Sequence, residues 1–564
     1  MNLFHAIFSD RAPAQTALLY QAREISYAEL RDETLRVTGL LSALKTTAGQ
    51  RVGILLNDSP EFIATFIGVI SMGAIAVPIN MGLRLDEQRT ILNDCGATLI
   101  IAESDLCDSL LQDAGEALPH LKEVVVISRG KEKEFGTESK RTQRKPGATP
   151  GRQRVKIHSF DASTGRVMTT LQTRSGESAD KSAHSKGAAS PEILFAEPSP
   201  NQPAFILYTS GSTGEPKGAI HRQSDIFYTN QTFCHEVLKL KEGDRLFSSS
   251  RLPFAYGLGN SFSFPLLNGV TSILCREKPT PEVISQVFDA YQPTIFFGVP
   301  VIYNMLLDHH QRVRALDCSS LRLCISAGEA LPAKIGEDWE RTFSVPVLDG
   351  IGSTEMLHMF ISNTEGNMRY GSSGKVLPGY EARLLDQNGE PTPADAEGNL
   401  WVKGASAAIG YWQRPDTTAG TFVDGWVRTG DLYRRDSGGY HYHMGRSDDC
   451  FKSSGQWVSP VEVEGVLLRN EDVMRAAVVE DFSEDGLPCA CAFVVQRVGA
   501  TGQAETSAQE TQLEKALRAL AREHLPRFKQ PRRYIFVSEL PYTATGKIQR
   551  FKLREQLQPV GRPN

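Results

Sequence analysis

Apolar and polar positions alternate along the first 128 residues in two rhythms. Segments such as "SYAELRDETLRVTGLLSAL" at 26–44 repeat their apolar residues every three or four positions, the period of a helix with one buried face. Short runs such as "RVGILL" at 51–56 and "ATLIIA" at 97–102 are mostly apolar, as strands buried on both faces are. Helix and strand in turn predict an α/β architecture with a largely parallel sheet. "FIATFIGVISMGAIAVPI" at 62–79 carries no charge over 18 residues, the threshold for a membrane span. Gly73 and Pro78 interrupt it, so a buried helix followed by a buried strand is expected instead.

The rhythm stops at 129–192. "RGKEKEFGTESKRTQRKPGATPGRQRVK" and "RSGESADKSAHSKGAAS" are rich in Lys, Arg, Ser and Gly and almost empty of large apolar residues. Such a segment buries too little surface to offset its ordering entropy. It is expected to be a flexible basic surface insertion, with "RVMTTLQT" at 166–173 a short ordered piece.

From 193 the alternation returns, with strands expected at "AFILYT" (204–209), "RLCISA" (322–327) and "VPVLDG" (345–350). Each runs into a Gly or Ser loop. Ligands of open α/β sheets sit at the carboxyl ends of strands, so the three loops are candidates for one site. Past "YHYHMGRSDD", the segments "VSPVEVEGVLL", "VMRAAVVED", "CAFVVQR", "QLEKALRALAREHL" and "RRYIFVSEL" make a compact α+β unit. The expected fold is therefore α/β. A large N-terminal domain at 1–445 has mainly parallel sheets flanked by helices, and a small α+β C-terminal domain occupies 446–564.

Bulk composition narrows the function. A chain of 564 residues is too long for one core. A hydrophobic content of 40%, 23% charged residues and a net charge of −5 fit a soluble globular protein. They give no reason to expect nucleic acid or a membrane as partner. Nine cysteines with no C-x-x-C pair fit a reducing compartment, and the N-terminus lacks signal-peptide features, so a cytoplasmic location is expected.

The strongest chemical signal is "YTSGSTGEPKG" at 208–218. Glycines let successive N–H groups point inward around phosphate oxygens. Thr209, Ser210, Ser212 and Thr213 add hydroxyls beside Gly211 and Gly214, and Lys217 adds charge. It is not a Walker A loop, because Lys and Ser/Thr do not follow the last glycine. "GIGSTEMLHMF" at 350–360 is a second signal. One acid, Glu355, closes a Gly/Ser/Thr loop, and an apolar run containing His358 follows.

The 208–218 loop resembles the signature of the adenylate-forming superfamily, which includes acyl-CoA synthetases, peptide-synthetase adenylation domains and luciferases. "GIGSTE" at 350–355, "VRTGD" at 427–431, "GRSDD" at 445–449 and "TATGK" at 543–547 agree in order. "FAYGLGNSFSFPL" at 254–266, "SAGEALP" at 326–332 and "GSTEMLH" at 352–358 are similar to the benzoate–CoA ligases. The resemblance implies ATP-dependent conversion of a benzoate-like aromatic acid to acyl-AMP, then transfer to coenzyme A with release of AMP. ATP, Mg2+ and CoA are the implied cofactors and co-substrates.

It also implies roles by position. Lys217, Glu355 and Lys547 would be catalytic, with Glu355 a Mg2+ ligand. Besides the 209–217 loop, Gly328, Glu329, Asp349, Ile351, Thr354, Asp431 and Arg446 would meet the nucleotide. Ala255, Tyr256, Ala327, Gly328, His358 and Met359 would surround the acyl group. Asp448 would be the hinge on which the small domain turns between steps, with Ser454 and Gly455 beside the pantetheine arm.

The residues alone allow plainer roles. Glu355 could be an acid favoured at a helix N-terminus, Asp431 a turn cap, Arg446 a surface ion pair, Lys547 a surface lysine, Gly455 a turn glycine and His358 a packed core residue. If a helix starts at Glu355, then Glu355, His358 and Met359 share one face. Two rival functions remain: a stand-alone adenylation enzyme that loads a carrier protein, and a non-catalytic binding protein on the same fold. Oligomeric state is open, a homodimer included.

Overall fold

The computed structural model describes residues 2–104, 110, 117–128, 155–161, 166–172, 195–210, 216–483, 485–497, 507–542 and 548–557. Among them, two large sheets form the N-terminal part. The first has eight strands. Six of these run parallel, in the order Phe205–Ser210, Ile75–Pro78, Arg51–Leu55, Leu99–Glu103, Glu123–Ser128 and Val155–Asp161. Antiparallel strands flank both ends: Pro216–His221 beside Phe205–Ser210, and Arg166–Gln172 beside Val155–Asp161. The second sheet has nine strands, with Val347–Gly352, Leu323–Ser326, Ile295–Gly298, Arg245–Ser248, Thr271–Ile273 and Thr16–Tyr20 as its parallel centre.

The uncharged stretch at 62–79 folds as its pattern predicts. Ser59 caps the helix Pro60–Ser71 by accepting from the Phe62 amide, and Pro60 occupies the first turn. All twelve residues of this helix are buried. Gly73, at φ +80°, turns the chain into the buried strand Ile75–Pro78. Phe66 packs tilted on Phe205 of the first sheet and edge-on to Phe262 near the second, so one helix serves both layers. No described helix is long and apolar enough to cross a membrane.

An antiparallel sheet of Glu381–Leu385, Glu397–Lys403, Trp426–Arg435, Phe422–Val423 and His441–Arg446 follows. Beyond it, the α+β unit pairs Val473–Phe482, Pro488–Gln496 and Arg533–Phe536 with the helices Pro460–Leu467, Ser507–His524 and Arg550–Gln556. This unit has its own core of Val463, Leu467, Val478, Ala492 and Leu517.

One expectation needs correcting. The basic insertion is not wholly a surface loop: Val155–Asp161 and Arg166–Gln172 form a hairpin that widens the first sheet. Of "RVMTTLQT", Arg166–Gln172 is a strand, and its partner lies in the basic run. Glu123–Ser128 would otherwise be an open edge, and "VKIHSF" alternates well enough to pair with it, burying His158 and Phe160. The remainder of 129–192 lies outside the described residues.

A buried charge links the two layers. The Leu252 amide donates to Asp58 Oδ1 at 3.1 Å, and Arg251 Nη1 stands 3.7 Å from Oδ2. Arg251 also donates to the carbonyls of Cys275, Arg276 and Glu277. Burial pushes the Asp58 carboxyl up to about 6 despite the guanidinium beside it. Its folded value thus exceeds the unfolded one of about 4. The associated stability is complete below about pH 4 and is lost as pH rises through about 6. Asp58→Asn is therefore expected to gain stability relative to wild type between about pH 4.5 and about pH 7.5. Paired thermal unfolding midpoints check this, and a constant difference across that window would contradict it.

Candidate active site

The carboxyl ends of the three expected strands converge with loops from the antiparallel sheet. Phe205–Ser210 and Pro216–His221 form a hairpin in which Lys217 lies opposite Thr209. Gly211, Ser212, Thr213 and Gly214 lie outside the described residues, as does Lys547. Gly218 allows close packing, since a Cβ there would come within 2.6 Å of Ile206 and 2.9 Å of the Tyr208 ring.

The segment after Gly352 is not a helix. Ser353–His358 is a turn, Leu357 adopts φ +65°, and Met359–Ser362 is a strand antiparallel to 350–352. Glu355, His358 and Met359 therefore do not share a helix face. The left-handed Leu357 ends any helical turn, and the ladder claims Met359. Two different ends result.

At the first end, Glu355 is partly exposed and its Oε1 accepts from Tyr411 Oη at 2.6 Å. The Thr354 carbonyl lies 2.8 Å from His221 Nε2, and Ile351 pairs with Ile361. Asp349 is 3% exposed, and burial holds its carboxyl well above the usual range. Its backbone carbonyl is taken by Asn363.

At the second end, His358 is 3% exposed and lies among Phe233, Phe264 and Tyr256, with ring centroids 4.6, 4.7 and 5.6 Å away. Burial lowers its imidazole to about 3, so the ring is neutral. His358 Nε2 meets Asn260 Oδ1 at 3.2 Å, while His358 Nδ1 and Asn260 Nδ2 have no partner among the described residues. Gly259 backs this ring, because a Cβ there would fall 2.5 Å from His358 Cδ2. Met359 covers Gly350, where a Cβ would meet its methyl at 2.2 Å. Ala255 opens the short helix Ala255–Leu258, and Tyr256 Oη donates to the Ile325 carbonyl at 3.2 Å. Ala327 is buried at the end of Leu323–Ser326, and Gly328 follows at φ +94°. A Cβ on Gly328 would meet only Val299, at 3.5 Å, so backbone conformation rather than crowding asks for glycine there.

Asp431 stands within the strand Trp426–Arg435 rather than in a loop. A bulge opposite Asn399–Trp401, with Gly430 at φ +75°, turns this part of the strand. Arg446, its register partner, reaches Asp431 Oδ1 at 3.3 Å, and His443 Nε2 is 3.6 Å away. Glycine at 430 admits Arg446, whose Nη2 would be 2.7 Å from a Cβ.

Asp448 is exposed in the turn after His441–Arg446 and lies 3.6 Å from Arg446 Nε. Ser454 and Gly455 have φ +54° and +78° and form the exposed tip of the hairpin between Phe451–Ser453 and Gln456–Val458. This places Gly455 as a tight-turn glycine, as its residue type alone allows.

The α+β unit is docked on the larger part. Ile548 N donates to Glu329 Oε1 at 3.1 Å, Arg497 Nη1 to Asp308 Oδ1 at 2.8 Å, and Asn304 Nδ2 to the Met474 carbonyl at 2.8 Å.

Among the described residues, no group of three His, Cys, Asp or Glu could hold a metal. One carboxylate with hydroxyl neighbours does fit Mg2+, which keeps its waters and shares phosphate oxygens. Tyr411 occupies one Glu355 oxygen and leaves the other available for that ion. Tyr411, His221 and Asn260 escape sequence reasoning. "GYW" at 410–412 is the sole hint of Tyr411, and nothing in it points to residue 355.

Residues 6–412 match the family described as AMP-binding enzyme, and residues 462–547 match the AMP-binding enzyme C-terminal domain. A benzoate–CoA ligase of Thauera aromatica is 38% identical over 551 residues, covering 96% of this chain and 92% of that protein. The crystal structure of an anthranilate–CoA ligase in complex with anthranoyl-AMP superposes with a TM-score of 0.83 at 33% identity, covering 99% of this chain and 97% of that one. That of a benzoate–CoA ligase from Burkholderia xenovorans LB400 gives 0.78 at 32%, covering 98% and 100%. With both parts of the family matched in order and the full length aligned to such relatives, the chain belongs to the AMP-binding enzymes.

Proposed function

We propose that the protein is an AMP-forming aromatic acid–CoA ligase acting on ring acids of the benzoate class, substituted ones included. The observation that carries this is the turn Ser353–His358, which puts Glu355 at one end and a neutral His358 among three aromatic rings at the other. An aryl adenylate is a molecule of that polarity, charged at the phosphate and apolar at the ring.

In the first step a carboxylate oxygen of the acid attacks the α-phosphorus of ATP, and pyrophosphate leaves. Two anions must meet, so the contribution of the protein is charge neutralisation and in-line positioning. Lys217 and the hydroxyl loop at 209–214 would hold phosphate oxygens, while Asp431 and Arg446 would hold the ribose side. Mg2+ bound through Glu355 would offset phosphate charge. Gly328, Glu329, Asp349, Ile351 and Thr354 border the same strand ends, although Asp349 does so from beneath the surface.

The bond from Ile548 to Glu329 brings the chain next to Lys547 to this border, which supports a part for Lys547 in the first step. In the second step the CoA sulfur attacks the acyl carbon, losing its proton as AMP leaves. A turn of the small domain at Asp448 would then present Ser454 and Gly455. The domain division at 445/446 is proposed on the same ground.

His358 Nδ1 and Asn260 Nδ2 favour a ring acid that brings a hydrogen-bonding substituent, hydroxyl or amino, over bare benzoate. Buried polar groups left unpaired disfavour the analogue that lacks the matching group.

Pyrophosphate release across a panel of ring acids, with and without CoA, tests the function. CoA-dependent thioester is expected, and acyl-AMP that accumulates without thioester would favour a carrier-loading enzyme. Lys547→Ala is expected to lose acyl-AMP formation yet still convert supplied acyl-AMP to thioester. Equal loss in both half-reactions would remove Lys547 from the first step. Asn260→Leu and His358→Phe are expected to shift kcat/KM toward unsubstituted benzoate by about tenfold, a change of about 1.4 kcal/mol, with the KM for ATP held. An unchanged ratio among ring acids would place the acid elsewhere.

A further inference from the structure

We infer that His221, Asp225 and Tyr411 are positioning residues that lock Lys217 and Glu355 into one frame, so that both charges address the same triphosphate. This rests on the ligase function proposed above and concerns side chains that function does not use.

Lys217 and Glu355 sit on different elements, the strand Pro216–His221 and the turn Ser353–His358. His221 ends the strand of Lys217 and is fully buried, stacked on Phe205 with ring centroids 5.2 Å apart. Its Nε2 lies 2.8 Å from the Thr354 carbonyl. A carbonyl can only accept, so that nitrogen carries the hydrogen. Its Nδ1 lies 3.0 Å from Asp225 Oδ2, and Asp225 is itself fully buried. Asp225 cannot swing away. It accepts from the Arg222 amide at 3.0 Å and from Arg222 Nε at 2.9 Å, and Ser224 Oγ donates to it at 3.3 Å. The imidazole is thereby held in one plane and pins the residue preceding Glu355.

A second tie comes from the segment 405–412. Trp412 N donates to the Gly218 carbonyl at 2.8 Å, Ile220 N to Gly410 at 3.0 Å, and Ile409 N to Ile220 at 2.9 Å. The segment thus lies along the strand of Lys217, with Tyr411 and Ala219 forming an antiparallel bridge. It also reaches the turn: Ala408 N donates to the Glu355 carbonyl at 2.8 Å and Tyr411 Oη to the Glu355 carboxylate at 2.6 Å. Arg222 closes the circuit by donating to the carbonyls of Ala405 and Ala407, at 3.2 and 2.6 Å. Main chain, carboxylate and strand are therefore joined in one ring of bonds. Such outer partners fix the orientation of a metal-binding carboxylate, and losing one typically costs about 10–100-fold in affinity or activity.

The test uses the full-length enzyme and Mn2+ as a spectroscopic stand-in for Mg2+. Tyr411→Phe keeps the ring that packs on Ala219 and Phe422 and removes the hydroxyl alone. Mn2+ binding in the presence of ATP, followed by electron paramagnetic resonance without any acid, is expected to weaken about 10–100-fold. The thermal midpoint should stay at the wild-type value, and thioester formation from supplied acyl-AMP should persist. His221→Leu is expected to lose pyrophosphate exchange, and His221→Gln, whose amide can still donate toward Thr354, is expected to recover part of it. Wild-type Mn2+ affinity in Tyr411→Phe, or identical losses in the Leu and Gln variants, would overturn the frame. Because the Mn2+ measurement needs no aromatic acid, it stands even if every ring acid proves inactive, an outcome that would sink the ligase proposal instead.

Discussion

The helix Pro60–Ser71 has no face in water, and the arrangement of the whole N-terminal part follows from that constraint. A helix buried on every side needs apolar partners on every side. Two parallel sheets supply them, with Phe66 touching Phe205 on one flank and Phe262 on the other. Sheets held at one helix cannot slide freely, so the carboxyl ends of their strands stay in a fixed relation. The Asp58–Arg251 contact crosses the same junction and anchors the stretch that leads into Ala255 and Tyr256. The borders proposed to face the acyl group and the nucleotide therefore share one scaffold.

On that scaffold the turn at 353–358 divides labour by environment. Glu355 stays partly in water, where its carboxylate can meet a cation. Three residues later His358 is sealed among aromatic rings, where an imidazolium would be poorly solvated. A left-handed Leu357 makes the division possible, because it sends the chain back along strand 350–352 instead of onward in a helix. Charge and apolar surface can then lie a few residues apart without compromising each other.

Much of this was legible in the chain, and the limits are physical. Strands such as Phe205–Ser210 and the loops at their ends are written in local periodicity and glycine placement, which act over a few residues. The family likeness rests on the same local words and carried the fold. The condition of a helix starting at Glu355 is not met, because i, i+3, i+4 spacing says nothing about whether a ladder will claim the chain first. Tyr411, His221 and Asn260 were out of reach for another reason. Their partners lie 56, 133 and 98 positions away, and such pairs are set by how sheets stack rather than by any nearby pattern. The 155–172 hairpin shows a third limit: composition averaged over a long basic run conceals a short alternating stretch within it.

That hairpin also bears on how the chain survives in a crowded solution. "EVVVIS" at 123–128 is β-branched and nearly uncharged, and an open strand of this kind is a template for other chains. Val155–Asp161 covers it and is itself paired on its outer side by the antiparallel strand Arg166–Gln172. The insertion thus acts as a selvedge, keeping that apolar strand off the border of the sheet. Shortening the chain for crystallisation or expression should therefore trim around 155–172 and leave the border intact.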